Sequence, residues 1–314
     1  MMSLKKANNI IIMKNIVMTF IISVIISSGT LAQDTTDILK MLEKEMTIEG
    51  RNQTEYVRSA FKSTRLINGH SVENTAKGIM DLRISHRFGT LNKGAYEFFG
   101  LDNATMRLGF DFGLTNNLMA GIGRSTFEKT FDAFFKLKIL RQSTGKQQMP
   151  VTLSYVPTIA LKTLKLDDPN KKKYFASRLF YTHQLIIARK FSERFSLQLM
   201  PSFIHRNLAA TVSDPNDIYA LGIGGRQKLT KRTSFNIEYY YQLPGHKLPG
   251  TTNALSVGFD IETGGHVFQL HFTNSEGMAE RQFISETTGS WGDGDILFGF
   301  NISRIFALGK RNKN

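Results

Sequence analysis

From residue 79 onward the chain repeats with a period of two, and that period decides what it can fold into. In 235–243 one face carries Phe235, Ile237, Tyr239, Tyr241 and Leu243, and the other Asn236, Glu238, Tyr240 and Gln242. Met106, Leu108, Phe110, Phe112 and Leu114 alternate with Arg107, Gly109, Asp111 and Gly113. Near the end Ile296, Phe298, Phe300, Ile302 and Phe306 alternate with Leu297, Gly299, Asn301 and Ser303, with Arg304 interrupting the apolar face. Successive side chains point to opposite sides of a strand, so each stretch reads as a strand with one apolar face. Twelve such segments are predicted: 79–88, 104–114, 118–123, 131–140, 150–161, 176–189, 195–205, 218–229, 233–243, 253–262, 266–273 and 294–306. Most have the roughly 9–11 residues that a tilted strand needs to cross a bilayer. Pro157 and Pro201 fall inside two of them. A proline cannot donate to a ladder, so each implies a bulge or a shifted boundary.

The connections alternate in length. Gaps 89–103, 124–130, 162–175, 206–217, 244–252 and 274–293 form a long set, averaging about 13 residues. Gaps 115–117, 141–149, 190–194, 230–232 and 263–265 form a short set, averaging about 5, with 141–149 unusually long for it. Tight periplasmic turns, longer external loops, an even strand count and both ends on one side make up the pattern of an outer-membrane barrel. A soluble sandwich or lipocalin-like barrel has no reason to keep that alternation. The fold class predicted is therefore all-β, a transmembrane antiparallel up-and-down β-barrel of about twelve strands.

Residues 1–32 read as a secretory signal peptide. Lys5, Lys6 and Lys14 form a basic start, 16–26 an apolar core, and Thr30-Leu31-Ala32 a small-residue cleavage site before Gln33. Met13-Lys14-Asn15 alone makes a complete basic start, so Met13 is an alternative first residue. The core is shorter than the roughly 18 apolar residues of a spanning helix. The predicted location is the bacterial outer membrane. Residues 33–78 form an N-terminal segment that lies in the periplasm, plugs the lumen or adds a strand; within it 37–46 suits a short amphipathic helix and 56–68 an extended run. The barrel is assigned to 79–306 and a basic tail to 307–314. The formal net charge of +14 is thinly spread along the chain once the leader and tail are set aside, unlike the clustered stripe of a nucleic-acid binder. No nucleic-acid partner is expected. With no cysteine there is no disulfide, thiol nucleophile or cysteine metal site.

Several stretches resemble a family of outer-membrane β-barrel proteins of Bacteroidota-type Gram-negative bacteria that has no established activity. They are 61–71 (Phe61-Lys62-Ser63-Thr64-Arg65-Leu66-Ile67-Asn68-Gly69-His70-Ser71), 83–89 (Arg83 to Gly89), 99–103 (Phe99-Gly100-Leu101-Asp102-Asn103) and 294–300 (Gly294 to Phe300). The resemblance covers about 60–306. It implies a transmembrane barrel and carries over no catalytic residue. Barrels of this class often end in an aromatic residue; Phe306 fits that role, although 307–314 follow it.

If alternation sets the inside, the lumen charges are Arg83, Arg87, Arg107, Lys136, Lys138 and Arg226, facing Asp81, Asp111, Asp132, Glu238 and Asp260. A selective pore would use a one-sided ring. The near balance favours a cross-lumen salt-bridge network that narrows or closes the channel. Gly109, Gly113, Gly222, Gly224 and Gly258 leave room on the same face. The histidines give no site: His266 and His271 are five apart and point to opposite faces, His86 lies near an external rim, and His183 has lipid-facing parity. A barrel lipid hydrolase would need His183 to meet a serine that spacing does not identify. Gly292-Asp293-Gly294-Asp295 lacks the ligand spacing of a calcium loop and reads as a turn. Gly121-Ile122-Gly123 lacks the Gly-Lys pair of a phosphate loop. Lys171-Lys172-Lys173 reads as a solvated loop run that can meet lipopolysaccharide phosphates.

No enzyme, cofactor, metal or catalytic residue is expected. The expected partners are outer-membrane lipid and lipopolysaccharide, the barrel-insertion machinery and a small polar solute. The leading functional expectation is a narrow passive channel or small-solute uptake barrel. The alternative is a closed barrel acting as a binding or structural element through loops 89–103 and 274–293.

Overall fold

The computed structural model describes residues 53–165, 174–209 and 211–308, together with Lys40. The expected leader 1–32, most of the helix expected at 37–46, Lys171-Lys172-Lys173 and residues 309–314 of the tail lie outside the described residues. The chain divides into two units. In the smaller one, residues 1–55 with 144–148, the Lys146 amide donates to the Gln53 carbonyl over 3.1 Å. The larger one, 56–143 with 149–314, holds a closed barrel.

Its twelve antiparallel strands follow chain order: β1 (Ile79–Thr90), β2 (Ala104–Gly113), β3 (Leu118–Ser125), β4 (Thr130–Leu140), β5 (Thr152–Lys162), β6 (Leu179–Lys190), β7 (Phe195–Arg206), β8 (Asp217–Lys228), β9 (Thr233–Gln242), β10 (Ala254–Thr263), β11 (His266–Thr273) and β12 (Leu297–Ala307). β12 closes on β1, with Ala307 opposite Ile79 and a bulge between Leu297 and Gly299. Closure leaves no barrel edge unpaired, which a sheet in hydrocarbon requires. Connections 91–103, 163–178, 207–216, 243–253 and 274–296 follow alternate strands and so share one rim with 126–129, which is shorter than its pattern implies, whereas 141–151 lies at the other rim.

The period of two becomes an inside and an outside. Phe131, Phe135, Leu137 and Ile139 of β4 stand 44–56% exposed, whereas Asp132, Phe134 and Lys136 between them are buried. Outward apolar residues with charges turned inward suit a barrel in lipid, where a midplane Arg or Lys costs about 2–4 kcal/mol on the outer face.

The bulge or shifted boundary expected at each proline does not appear, and both prolines stay inside their strands. Pro157 stays in register with β6, opposite His183, and the β4–β5 register is the same on both sides of it; only the pairs at that level are missing from the β4 ladder. Pro201 behaves alike, continuous with β8 and interrupted towards β6. In an antiparallel strand one residue's N–H and C=O face the same neighbour. A proline therefore removes a bond on one side only, and the strand stays straight. The sixth and twelfth strands also start later than their patterns imply: 176–178 form a 3-10 turn, and β12 begins at Leu297.

The room left by the inward glycines is occupied. A methyl group on Gly224 would lie 2.3 Å from Leu66 Cδ2, one on Gly113 2.0 Å from the Ala76 carbonyl oxygen, and one on Gly222 2.6 Å from the Tyr240 ring. Gly109 faces the Arg107 guanidinium and Gly258 faces His271. These glycines admit protein, where the sequence suggested an open passage. Gly224→Val is accordingly expected to destabilise the folded barrel by about 1–3 kcal/mol through overpacking against Leu66. A urea midpoint unchanged from the parent would contradict that packing.

Candidate functional site

What fills the barrel is the chain's own segment before β1. Residues 60–76 run through the lumen, with Phe61, Arg65, Leu66, Ile67, Asn68, His70, Ser71 and Val72 buried. They turn back on themselves: the Leu66 amide donates to the Gly69 carbonyl (2.8 Å) and the Ser71 amide to the Thr64 carbonyl (3.0 Å). Gly69 at the tip leaves no space for a side chain, because a methyl group there would lie 2.1 Å from the Tyr240 hydroxyl.

Buried backbone groups need partners, and here the wall supplies side chains for that purpose. The Glu238 carboxylate of β9 accepts the amides of Ile67, Asn68 and Gly69 over 3.3, 3.2 and 3.0 Å. Lys136 Nζ of β4 donates to the carbonyls of Thr64, Ser71 and Glu73 over 3.0, 3.0 and 2.6 Å. Arg226 of β8 donates to the Ala60 carbonyl, Gln198 of β7 to His70, Gln269 of β11 to Leu66 and Asn301 of β12 to Ile67. From β1, Arg83 donates to the Ser63 and Thr64 hydroxyls, and Arg87 to Asn68 Oδ1. Asn68 also donates to the Ser256 hydroxyl of β10 at 2.8 Å, and Thr64 to Asp111 of β2, so nine strands grip one segment through polar groups.

The inward charges therefore divide by task. Arg83, Arg87, Lys136, Arg226 and Glu238 hold the segment. Arg107 and Asp132 pair with each other, Nε to Oδ1 at 2.9 Å and Nη2 to Oδ2, across the side-chain-free Gly123. Asp81 meets Arg83 at 3.3 Å, Asp111 accepts the Thr64 hydroxyl at 3.4 Å, and Asp260 accepts Gln269 at 2.9 Å. Lys138 is half-buried near the end of β4. Contacts from wall to wall, Arg107 with Asp132, Arg83 with Asp81 and Gln269, and Arg87 with Asn301, accompany this grip on the segment.

A second element enters from the long-loop rim. Within 274–296 a six-residue helix, α1 (Glu280–Ser285), is buried along its whole length. Glu280 receives Arg65 Nη1 at 2.7 Å, and His70 Nε2 stands 3.2 Å from the same carboxylate oxygen. Arg281 lies between Glu128 and Glu286, with its guanidinium 4.0 Å above the Phe180 ring. Gln282 donates to the Thr130 hydroxyl at 3.1 Å, and Phe283 packs on Tyr240. The loop expected to be a contact surface thus folds partly inward. Its sequence signal is the apolar pair Phe283-Ile284 inside a charged external loop. The inward amides Gln198, Gln269 and Asn301 share the parity of the charged positions, and a search restricted to charges passes over them.

Burial, reinforced by Arg65, lowers His70 well below the 6.5 of a free histidine. Burial works to raise the Glu280 carboxyl, but Arg65 and His70 outweigh it and hold it below the usual range. Both groups bind protons less readily when the segment is docked. Their contributions are present above the undocked values of 6.5 and 4.5, and are lost as pH falls through the docked ones. Docking of 60–76 is expected to weaken from pH 7.5 to pH 4.5. Protease cleavage within 60–76 in the folded barrel should quicken over that range with an acid-tolerant protease, relative to a peptide control; equal rates would contradict it.

The histidines fall into structural settings. His183 faces outward with Nδ1 2.6 Å from the Tyr155 hydroxyl, so its partner is a tyrosine rather than a serine. His86 stacks on Phe300 at 5.0 Å. His271 is buried while His266 points to the other face. Asp295, in the 292–295 turn, accepts the Ser290 amide and the Asn92 side chain.

A closed barrel with an apolar exterior and a polar, filled interior is a transmembrane β-barrel. The chain belongs to the family described as membrane bound beta barrel domain (DUF5777), matched over residues 61–306. No curated protein matches it. Among solved structures it is similar to the NanC porin, at 9% identity and a TM-score of 0.45, over 72% of this chain and 98% of that one. An outer membrane channel from Pseudomonas putida F1 gives 11% and 0.47, over 78% and 100%. The KdgM porin gives 12% and 0.42, over 73% and 99%.

Proposed function

We propose that the protein is an outer-membrane barrel closed at rest by its own residues 60–76 and α1, passing small polar solutes only when that segment leaves the lumen. The observation that carries this reading is the mode of docking. The segment is held largely by side-chain hydrogen bonds to its backbone, and water can replace such bonds when it withdraws. The solute, the lipid and lipopolysaccharide around the wall, and the machinery that inserts the barrel are its partners in this reading, and it performs no catalysis. Phe306, outward-facing on β12 beneath the Arg304 guanidinium, serves as the terminal aromatic signal.

A second reading is favoured by loop 91–103, where Tyr96, Phe98 and Phe99 stand 95%, 61% and 54% exposed. In it the barrel stays shut and binds a partner through that rim. Planar-bilayer current separates the two. The gated reading expects a nearly silent intact barrel and steady salt-dependent current once residues 57–76 are deleted, with heat-modifiable gel migration showing that both fold. Silence in both folded forms would overturn it in favour of the closed binding element.

A further inference from the structure

On its outer face, just below the rim of the long connections, the barrel wall carries a groove of about 510 Å³. One short side chain makes it. The outward positions of β4 are Phe131, Ala133, Phe135, Leu137 and Ile139, and Ala133 stands opposite Ile122 of β3 and Ile159 of β5. Larger neighbours therefore surround a gap. Phe175, 67% exposed in the connection 163–178, completes the lining from the rim. Apart from Arg124 and Asp132 the lining carries no charge, and the Asp132 carboxylate turns inward to Arg107. In a membrane such a gap is filled by hydrocarbon, because an empty one forfeits its dispersion contacts.

Arg124 gives the groove a charged end. It is the penultimate residue of β3, exposed on the outer face opposite Phe131, with its guanidinium 5.4 Å from that ring's centroid. An outward arginine is costly at the midplane of a bilayer and nearly free at the interface. There its stem lies along apolar surface while its head meets the lipid head groups. The acid of the adjoining turn, Glu128, is already engaged by Lys162 and Arg281. Arg124 is thus left for an anion from outside, and Lys129 on the same turn is a second exposed cation. The long connections mark this rim as external, and the leaflet on that side of an outer membrane is built of lipopolysaccharide. We infer that the groove holds one acyl chain of lipopolysaccharide, with Arg124 on a phosphate of its lipid A, a group that guanidinium geometry suits. The inference rests on the outer-membrane placement in the proposed function and is independent of gating, since a silent barrel presents the same outer wall.

The test is native mass spectrometry of the folded full chain in detergent, titrated with diphosphoryl lipid A, its dephosphorylated form and phosphatidylglycerol. One lipid A per barrel is expected to be retained, with each of the other two lipids weaker by about tenfold or more. Arg124→Gln should weaken lipid A by about the same factor through loss of a charge-assisted bond. Ala133→Trp should do so by filling the groove with the charge left in place, and it decides the matter if the arginine variant does not fold. Heat-modifiable migration shows which variants are folded barrels. Absence of lipid A binding, or an affinity unchanged in a folded variant, would overturn the assignment. Equal retention of the dephosphorylated lipid or of phosphatidylglycerol would also overturn it, as would a mass of two chains in place of the lipid.

Discussion

Glu238→Ala is expected to raise the fraction of open barrels by about 10²–10³-fold. Among the described residues, the carboxylate is the one wall group that holds the tip of the inner segment by its amides, at Ile67, Asn68 and Gly69. Removing it strands three buried donors, each worth about 1–3 kcal/mol when left unpaired. These costs overlap, so about 3–4 kcal/mol of docking is the sensible total. At about 1.4 kcal/mol per decade that gives the stated shift. Glu238→Gln keeps an acceptor oxygen and should fall between the two. Openings counted in single-channel records read the effect directly. An alanine variant that migrates as a folded barrel and stays as silent as its parent would contradict the assigned role.

The second large effect concerns the wall. Arg107 of β2 and Asp132 of β4 form a two-bond pair across β3, buried to 2% and 4% exposure. Truncating either partner leaves the other charge buried and alone, a cost of about 3–5 kcal/mol. Replacing both by apolar residues of similar size, Arg107→Met with Asp132→Leu, should recover most of that loss. Urea unfolding of vesicle-inserted barrel distinguishes the cases. If the double variant were as unstable as either single one, the pair would not be what holds these strands together. Neither change is expected to open the barrel, because neither residue touches the inner segment's backbone.

The sequence discloses the wall and conceals the plug, for one physical reason. A strand with lipid on one side and protein on the other must alternate, and all twelve do. Alternation places Arg83, Lys136 and Glu238 on the inner face, where each is buried. The run 60–76 has no lipid to face and no neighbouring strand, so nothing imposes a period on it. Its order comes from side chains up to 234 positions away in sequence, as where Asn301 donates to the Ile67 carbonyl. The inward glycines mislead for the same reason. Gly224 reads as space until Leu66 is known to fill it. α1 lies in a long loop whose length alone suggests exposure, and the pairing of Glu280 with Arg65 turns it inward together with the contacts of Gln282 and Phe283 to the wall.

The central claim is that residues 60–76 lie inside the barrel. The chain has no cysteine, so a designed pair can report on this without interference. Leu66 Cδ2 lies 2.3 Å from where a Cβ on Gly224 would sit, and Leu221, on the same strand, faces outward at 45% exposure. Oxidising Leu66→Cys with Gly224→Cys in the folded barrel is predicted to form a disulfide, seen as a two-dalton mass loss and a gel shift reversed by reductant. Leu66→Cys with Leu221→Cys should form none. A folded barrel in which the first pair stays reduced, with both thiols open to a bulky reagent, would contradict the filled lumen and the gating built on it.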